Sequence, residues 1–102
     1  MSGEPPMKII KVAASSRTPA VAGAIAGIVR EHGSVEIQAI GASAVNRALK
    51  SIVMAQKYLH AEEKHLWFHP RFMDTLIKGQ ERTVLQLVVE SASRVSMPAF
   101  AD

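Results

Sequence analysis

Residues 7–39, MKIIKVAASSRTPAVAGAIAGIVREHGSVEIQA, contain a predicted strand, a helix and a second strand. Residues 7–14 are short and β-branched and lie between a proline pair and two serines, which favours a strand over a helix. Thr18 is a preferred N-cap followed by proline at the first helical position, and Gly33 suits the left-handed end of that helix. Residues 35–39 then alternate apolar and polar side chains, as a half-buried strand does. Two strands joined by a helix in this way form a βαβ unit with parallel strands and a right-handed crossover.

The chain after this unit predicts a second helix and a β-hairpin. The helix begins with Ser43 as its cap and carries an apolar stripe and a basic outer face. Residues 65–69 form a predicted strand that Pro70 stops, and residues 83–90 form another with apolar side chains on both faces, which is typical of a central strand. The predicted order is therefore βαβαββ. We expect an α/β two-layer sandwich with two helices on one face of a mixed four-stranded sheet.

The length and composition indicate one globular domain. The chain has 102 residues, of which 48% are hydrophobic and 21% charged, and it contains no cysteine. One core suffices for this size, and without cysteine there is no disulfide framework, thiolate nucleophile or cysteine-ligated metal. We expect a flexible leader over residues 1–6, the folded domain over residues 7–90 and a flexible tail over residues 91–102.

The apolar segments are too short to predict a membrane span. The longest covers residues 19–29, whereas a membrane-spanning helix needs about 20 apolar residues. The first six residues carry an acid and two prolines, unlike the basic and then apolar start of a signal peptide. We therefore expect a cytoplasmic protein that does not bind a membrane.

Positive side chains occur in three segments that the predicted fold leaves exposed. The net charge is only +3, a weak bias toward polyanions. The positive groups lie before the first helix, on the second helix and around the hairpin, where they can reach phosphates, and a helix N-terminus adds backbone N–H donors. The predicted nucleic-acid-binding residues are Ser15, Ser16, Arg17, Asn46, Arg47, Lys50, Lys57, Arg71, Lys78 and Arg82. The alternative interpretation is a solvated helix face with a charged hairpin that discourages aggregation.

The sequence contains no motif typical of an enzyme or a metal site. GxSxG, Walker A, GxGxxG and HExxH patterns are absent, and no carboxylates pair closely on a rigid element. His65 and His69 lie on a predicted strand, which separates them by about 13 Å, too far to share a metal ion. Ser15 and Ser16 are typical of turns and helix caps. We expect no enzymatic activity, no metal, no cofactor and no small-molecule substrate.

Aromatic and glycine residues each allow two interpretations. Trp67, Phe68 and Phe72 can stack on unpaired bases, or they can fill the core or a subunit contact. Gly23 and Gly27 lie inside the predicted first helix, where glycine costs roughly 1 kcal/mol relative to alanine. Because that cost needs a compensating gain, we expect the helix backbone to pack closely there, with ligand binding as the alternative.

Several short segments carry a family resemblance. They are VAGAIAG at residues 21–27, Arg30-Glu31, Gly33, EIQAIGA at residues 36–42, Asn46 and ERT at residues 81–83. With these segments the chain resembles the stage V sporulation protein S family over about residues 7–90. That family is similar in fold to the Alba group of small basic nucleic-acid-binding proteins, which share the βαβαββ order and form homodimers. The resemblance implies an Alba-like fold and nucleic-acid contacts by the loop before the first helix, the second helix and the hairpin arms.

Two functions are compatible with these patterns. The first is a homodimer or higher homo-oligomer that contacts the phosphate backbone of DNA or RNA with little sequence preference. The family resemblance adds a regulatory role in sporulation or a related developmental programme. The alternative is a protein-interaction or oligomerisation module that does not bind nucleic acid directly.

Overall fold

The computed structural model describes residues 7–93 and confirms the predicted βαβαββ order. The elements are β1 (Ile9–Val12), α1 (Thr18–His32), β2 (Ser34–Ala39), α2 (Ala42–Leu59), a 3-10 turn (His60–Glu62), β3 (Lys64–Ile77) and β4 (Gln80–Ser93). The strands form one mixed sheet in the order β1-β2-β4-β3, in which β1 and β2 are parallel and the other neighbours antiparallel. Two helices cover one face of this sheet, so the predicted two-layer α/β architecture is confirmed.

The N-caps of the two helices lie one and two residues before the predicted caps. The N-cap of α1 is Arg17 rather than Thr18, and the N-cap of α2 is Gly41 rather than Ser43. Gly41 has φ +89°, and the helix starts directly after this turn, which leaves Ser43 inside its first turn. Gly33 ends α1 with φ +83° and donates its N–H to the carbonyl of Val29 at 2.8 Å, as predicted for a left-handed C-cap.

The hydrophobic core lies between the helices and the sheet. Val35, Ile37 and Ala39 of β2 are buried, as their alternation with polar residues predicts. The helices also pack against each other, and small side chains on both are almost completely buried. These are Ala22, Ala26, Ala44, Ala48 and Ala55. Neither helix within residues 7–93 is long and apolar enough to cross a membrane.

Gly23 and Gly27 do not take part in this close packing. A Cβ atom added at either position would meet no other part of the described chain within 4 Å. The prediction that close backbone approach explains these glycines is therefore wrong. The buried side of α1 is formed by Ala22, Ile25 and Ala26, while Gly23 is exposed on the outer side.

β3 runs through Pro70, so the prediction that this proline stops the strand is wrong. The strand lies at the sheet edge, and the side chain of Gln56 in α2 binds its free side. Nε2 of Gln56 donates to the carbonyl of Lys64 at 2.9 Å, and Oε1 of Gln56 accepts from the N–H of Leu66 at 2.7 Å. Backbone direction alternates along a strand, and the register with β4 is continuous. The missing N–H of Pro70 therefore faces the free edge, where no bond to β4 is lost.

The aromatic residues of β3 lie outside the core. Phe68 and Phe72 are exposed on the side of the sheet that carries the helices, and Trp67 is half-buried on the opposite side. The interpretation that they fill the core is therefore wrong for this chain. A subunit contact and stacking on unpaired bases remain predictions.

The hairpin between β3 and β4 closes in two residues. Lys78 and Gly79 have φ values of 51° and 78°, the combination that a type I′ turn requires. β4 is the predicted central strand, between β2 and β3, but it extends from Gln80 to Ser93 rather than from 83 to 90. The first three residues of the predicted tail thus belong to the sheet. Its remainder and the predicted leader lie outside the described residues.

Polar side chains join three strands on the open face, the side of the sheet turned away from the helices. Oε2 of Glu36 accepts from Nε2 of Gln38 and from Nε2 of Gln86, both at 2.6 Å. Oε1 of Gln86 in turn accepts from Nε of Arg71 at 3.1 Å. These bonds connect β2, β4 and β3 and satisfy the carboxylate in a partly buried position.

Candidate nucleic-acid interface

One end of the domain brings together three segments that are distant along the chain. β1 and β2 are parallel, so the starts of α1 and α2 both lie at their carboxyl ends. β4 runs antiparallel to β2, which places its first residues and the hairpin turn at this end too. We call this the loop end and define it by residues 13–17, residues 41–47 and residues 75–82. The opposite end contains the ends of both helices and the start of β3.

The loop of residues 13–17 is held by its own hydrogen bonds. The N–H of Ala13 donates to Oγ of Ser16 at 2.9 Å, and the N–H of Ser16 donates to the carbonyl of Ala13 at 3.0 Å. The carbonyl of Arg17 accepts the first helical bond, from the N–H of Val21 at 3.0 Å. Ser16 therefore shapes a tight turn, and Ser15 and Arg17 beside it are exposed.

Arg47 connects this loop to α2. Its Nη1 donates to the carbonyl of Ser16 at 3.2 Å, and its backbone carbonyl accepts from the hydroxyl of Ser51 at 2.7 Å. Nε is buried and has no hydrogen-bond partner within residues 7–93. The half-buried guanidinium thus fixes the loop against the helix and keeps its positive charge at the loop end.

Both helix N-termini at the loop end lack a side-chain cap. Neither α1 nor α2 has an acidic residue in its first turn, and neither N-cap side chain makes a capping bond. The first backbone N–H groups of a helix have no intrahelical acceptor and carry partial positive charge. These N–H donors therefore add to the positive potential of the side chains at the loop end, because no carboxylate in either first turn neutralises them.

The hairpin lies beside the loop of residues 13–17. Ala13 and Ala14 line one side of a groove whose other side is formed by Thr75, Leu76 and Ile77. Lys78 follows directly in the turn, and Arg82 is opposite Thr75 in the register of β3 and β4. The positive charges of the loop and of the hairpin are thus on the same end of the molecule.

Charge is distributed unequally between the two ends. The positive residues at or beside the loop end are Lys11, Arg17, Arg47, Lys78 and Arg82, and the acids there are Asp74 and Glu81. At the opposite end the acids Glu31, Glu62, Glu63 and Glu90 balance the four positive residues Lys8, Arg30, Lys57 and Lys64. There, Nε of Arg30 lies 2.8 Å from Oε2 of Glu62, which neutralises this arginine. The loop end is the more positive of the two.

A comparison with protein-family models matches residues 8–92 to stage V sporulation protein S. The chain belongs to the stage V sporulation protein S family. The match includes every strand and both helices, so the family relationship applies to the whole described fold. Membership of this family associates the chain with sporulation.

Most of the predicted site residues of this family member meet at the loop end. Those that do are Ser15, Ser16, Arg17, Asn46, Arg47, Lys78 and Arg82. Lys50 lies about one helical turn beyond Asn46, on the exposed side of α2. Two predicted residues lie elsewhere: Lys57 is in the last turn of α2, and Arg71 is on the open face, bonded to Gln86.

Lys11 is a further positive residue beside the loop end and is not among the predicted site residues. It is exposed, lies on the open face opposite Gln38 and lines the groove beside the loop end. Its position between Ile10 and Val12 in a predicted strand could have indicated this orientation, because neighbouring side chains in a strand point to opposite faces.

Proposed function

We propose that this sporulation-family protein binds nucleic acid through the loop end, as a homodimer, and acts as a regulator in sporulation or related development. The convergence of Arg17, Arg47 and Lys78 with two uncapped helix N-termini is the observation that carries the proposal. Each of these groups can contact a phosphate.

The contacts on this surface favour backbone over base recognition. Arg47 is bound to the carbonyl of Ser16, and its guanidinium remains able to form a further contact with an anion. Phosphate contacts fix a protein on a nucleic acid but carry no sequence information. We therefore expect binding that weakens with salt and depends little on sequence.

Charge reversal at the loop end tests the proposal. Arg17→Glu and Lys78→Glu change exposed side chains on two separate segments. Each variant should weaken binding to all oligonucleotides similarly and reduce the slope of log K against log salt by about 1. Lys8→Glu is the matched control, because it makes the same charge change at the opposite end of β1. Equal losses for all three variants, or binding that salt does not affect, would contradict the proposed surface.

Self-association is supported by an exposed apolar surface, which we call the apolar edge. It consists of Phe68, Phe72 and Leu76 on β3 with Leu49 and Val53 on α2. Phe72 and Leu76 are 76% and 72% exposed, and Val53 is 60% exposed. Val53 lies one turn before Gln56, whose side chain binds the edge of β3. The exposed apolar residues of α2 are therefore next to those of β3. Contiguous exposed apolar side chains are typical of protein contacts.

The same apolar edge favours a second candidate function, a protein-interaction module that does not bind nucleic acid directly. In that case the apolar edge contacts a protein, and the charged loop end is a solvated surface. The charge-reversal variants separate the two functions. Under the second, Arg17→Glu and Lys78→Glu leave sporulation and the oligomeric state unchanged.

A further inference from the structure

A groove of about 440 Å³ lies on the open face beside the loop end. Its walls come from the carboxyl ends of β1 and β2 and from the last residues of β3. Met73, Ile77 and the almost completely buried Val84 make its surface largely apolar. Pockets of this size and apolar character, with a few polar groups, are typical of sites for small organic groups.

Three polar side chains in the groove have free hydrogen-bonding capacity. Nε2 of Gln38 donates to Glu36, but within residues 7–93 its Oε1 has no donor. In the same described part of the chain, the hydroxyl of Thr75 and the ammonium of Lys11 have no hydrogen-bond or ion-pair partner. The groove therefore offers an acceptor, a hydroxyl group and a cation next to an apolar surface.

Cations of the loop end lie on both sides of this groove. On one side, Ala13 and Ala14 lead to Arg17. On the other, Thr75 is the register partner of Arg82, and Ile77 precedes Lys78. A nucleic-acid strand with phosphates on both sets of cations would pass the mouth of the groove.

We propose that the groove binds one unpaired nucleobase of a strand whose phosphates lie on the loop end. A base has apolar faces and polar edges, and these match the apolar surface and the free groups of Gln38 and Thr75. In a duplex the faces are stacked and the pairing edges occupied, so the groove selects single-stranded segments. An aliphatic chain would leave the polar groups without partners, which disfavours it as the occupant. This inference rests on the proposed function and adds the class of nucleic acid.

The test compares three ligands under the same salt conditions. These are a short single strand, the duplex formed from it and a strand of equal length with an abasic backbone. The single strand should bind about tenfold more tightly than the abasic strand, a difference in the range of one specific base contact. Thr75→Leu, which removes the hydroxyl and adds bulk, should abolish most of that difference. Fluorescence anisotropy measures all three affinities.

Thr83→Leu is the matched control. Thr83 lies on the same hairpin but on the opposite face, where its hydroxyl donates to Asp74 at 3.0 Å. It should not change the preference for single strands, and thermal unfolding verifies that both variants fold. Equal affinity for single and abasic strands with salt-dependent duplex binding would overturn the groove inference and leave the proposed function intact. Absence of salt-dependent binding to all three ligands would overturn the proposed function as well.

Discussion

Gly23 and Gly27 illustrate what a single residue contributes to this fold. Both lie inside α1, and at both positions there is space for a methyl group. Glycine in a helix interior loses more backbone entropy on folding than alanine does. The packing that the sequence led us to expect would have offset this cost, but the structure has no such contact.

Replacing either glycine by alanine should stabilise the protein. We expect Gly23→Ala and Gly27→Ala each to raise the free energy of unfolding by about 0.5 to 1 kcal/mol. Chemical denaturation measures this change. Gly33→Ala is the control, because φ at Gly33 is +83° and alanine there should instead destabilise by about 1 kcal/mol. A loss of stability at Gly23 or Gly27 would show that those positions contact something after all.

The sequence predicted the end of α1 correctly but not the N-caps of the two helices. Gly33 was assigned correctly, since glycine at the end of an apolar helix has one dominant use. The hydroxyl groups of Thr18 and Ser43 predict caps at these residues, but the N-caps are Arg17 and Gly41. The turn that precedes each helix sets the residue at which the helix begins. The capping preference of a side chain alone does not predict that residue.

At the level of elements, the position of β3 in the sheet explains why it tolerates a proline. Pro70 has its missing N–H at the free edge, and a proline on an edge strand also hinders pairing with other strands. The sequence predicted the end of the strand here because proline interrupts central strands. Which strand lies at the edge follows only from the order β1-β2-β4-β3.

Substitutions in β3 and β4 test this explanation. Pro70→Val should change the free energy of unfolding by less than about 1 kcal/mol, because no bond to β4 depends on that N–H. Val88→Pro in β4 should cost about 3 kcal/mol or more, since β4 is bonded on both sides. Chemical denaturation measures the free energy of unfolding of both variants. A large loss for Pro70→Val, or tolerance of Val88→Pro, would mean that the sheet order is different.

At the scale of the whole molecule, the fold collects charges that are scattered along the chain. Arg17, Arg47 and Lys78 come from three segments, and the sequence predicted that each is exposed. It could not predict that Lys57 and Arg71 lie apart from them, because that depends on which end of a helix and which face of the sheet they occupy. The position of Lys11 was predictable in part, because alternation along β1 places it on the face opposite Ile10 and Val12.

The apolar edge predicts the quaternary structure. Phe72→Ser and Val53→Ser remove highly exposed apolar side chains from β3 and from α2, so we expect each to shift a dimer toward monomer without loss of folding. Sedimentation velocity measures the change. Ile9→Ser is the matched control, since Ile9 is 52% exposed but lies on the open face. A stable dimer in all three variants would exclude the apolar edge as its contact.

The central claim is that the loop end is the surface that binds nucleic acid. Backbone amide chemical shifts, recorded while a short oligonucleotide is added to the folded protein, test it at every non-proline residue together. We predict that the shifted amides cluster in residues 13–17, 41–50 and 75–82. Residues 30–33 and 57–65, at the opposite end, should remain unchanged. Shifts concentrated at that opposite end, or no shifts at any oligonucleotide concentration, would contradict the account.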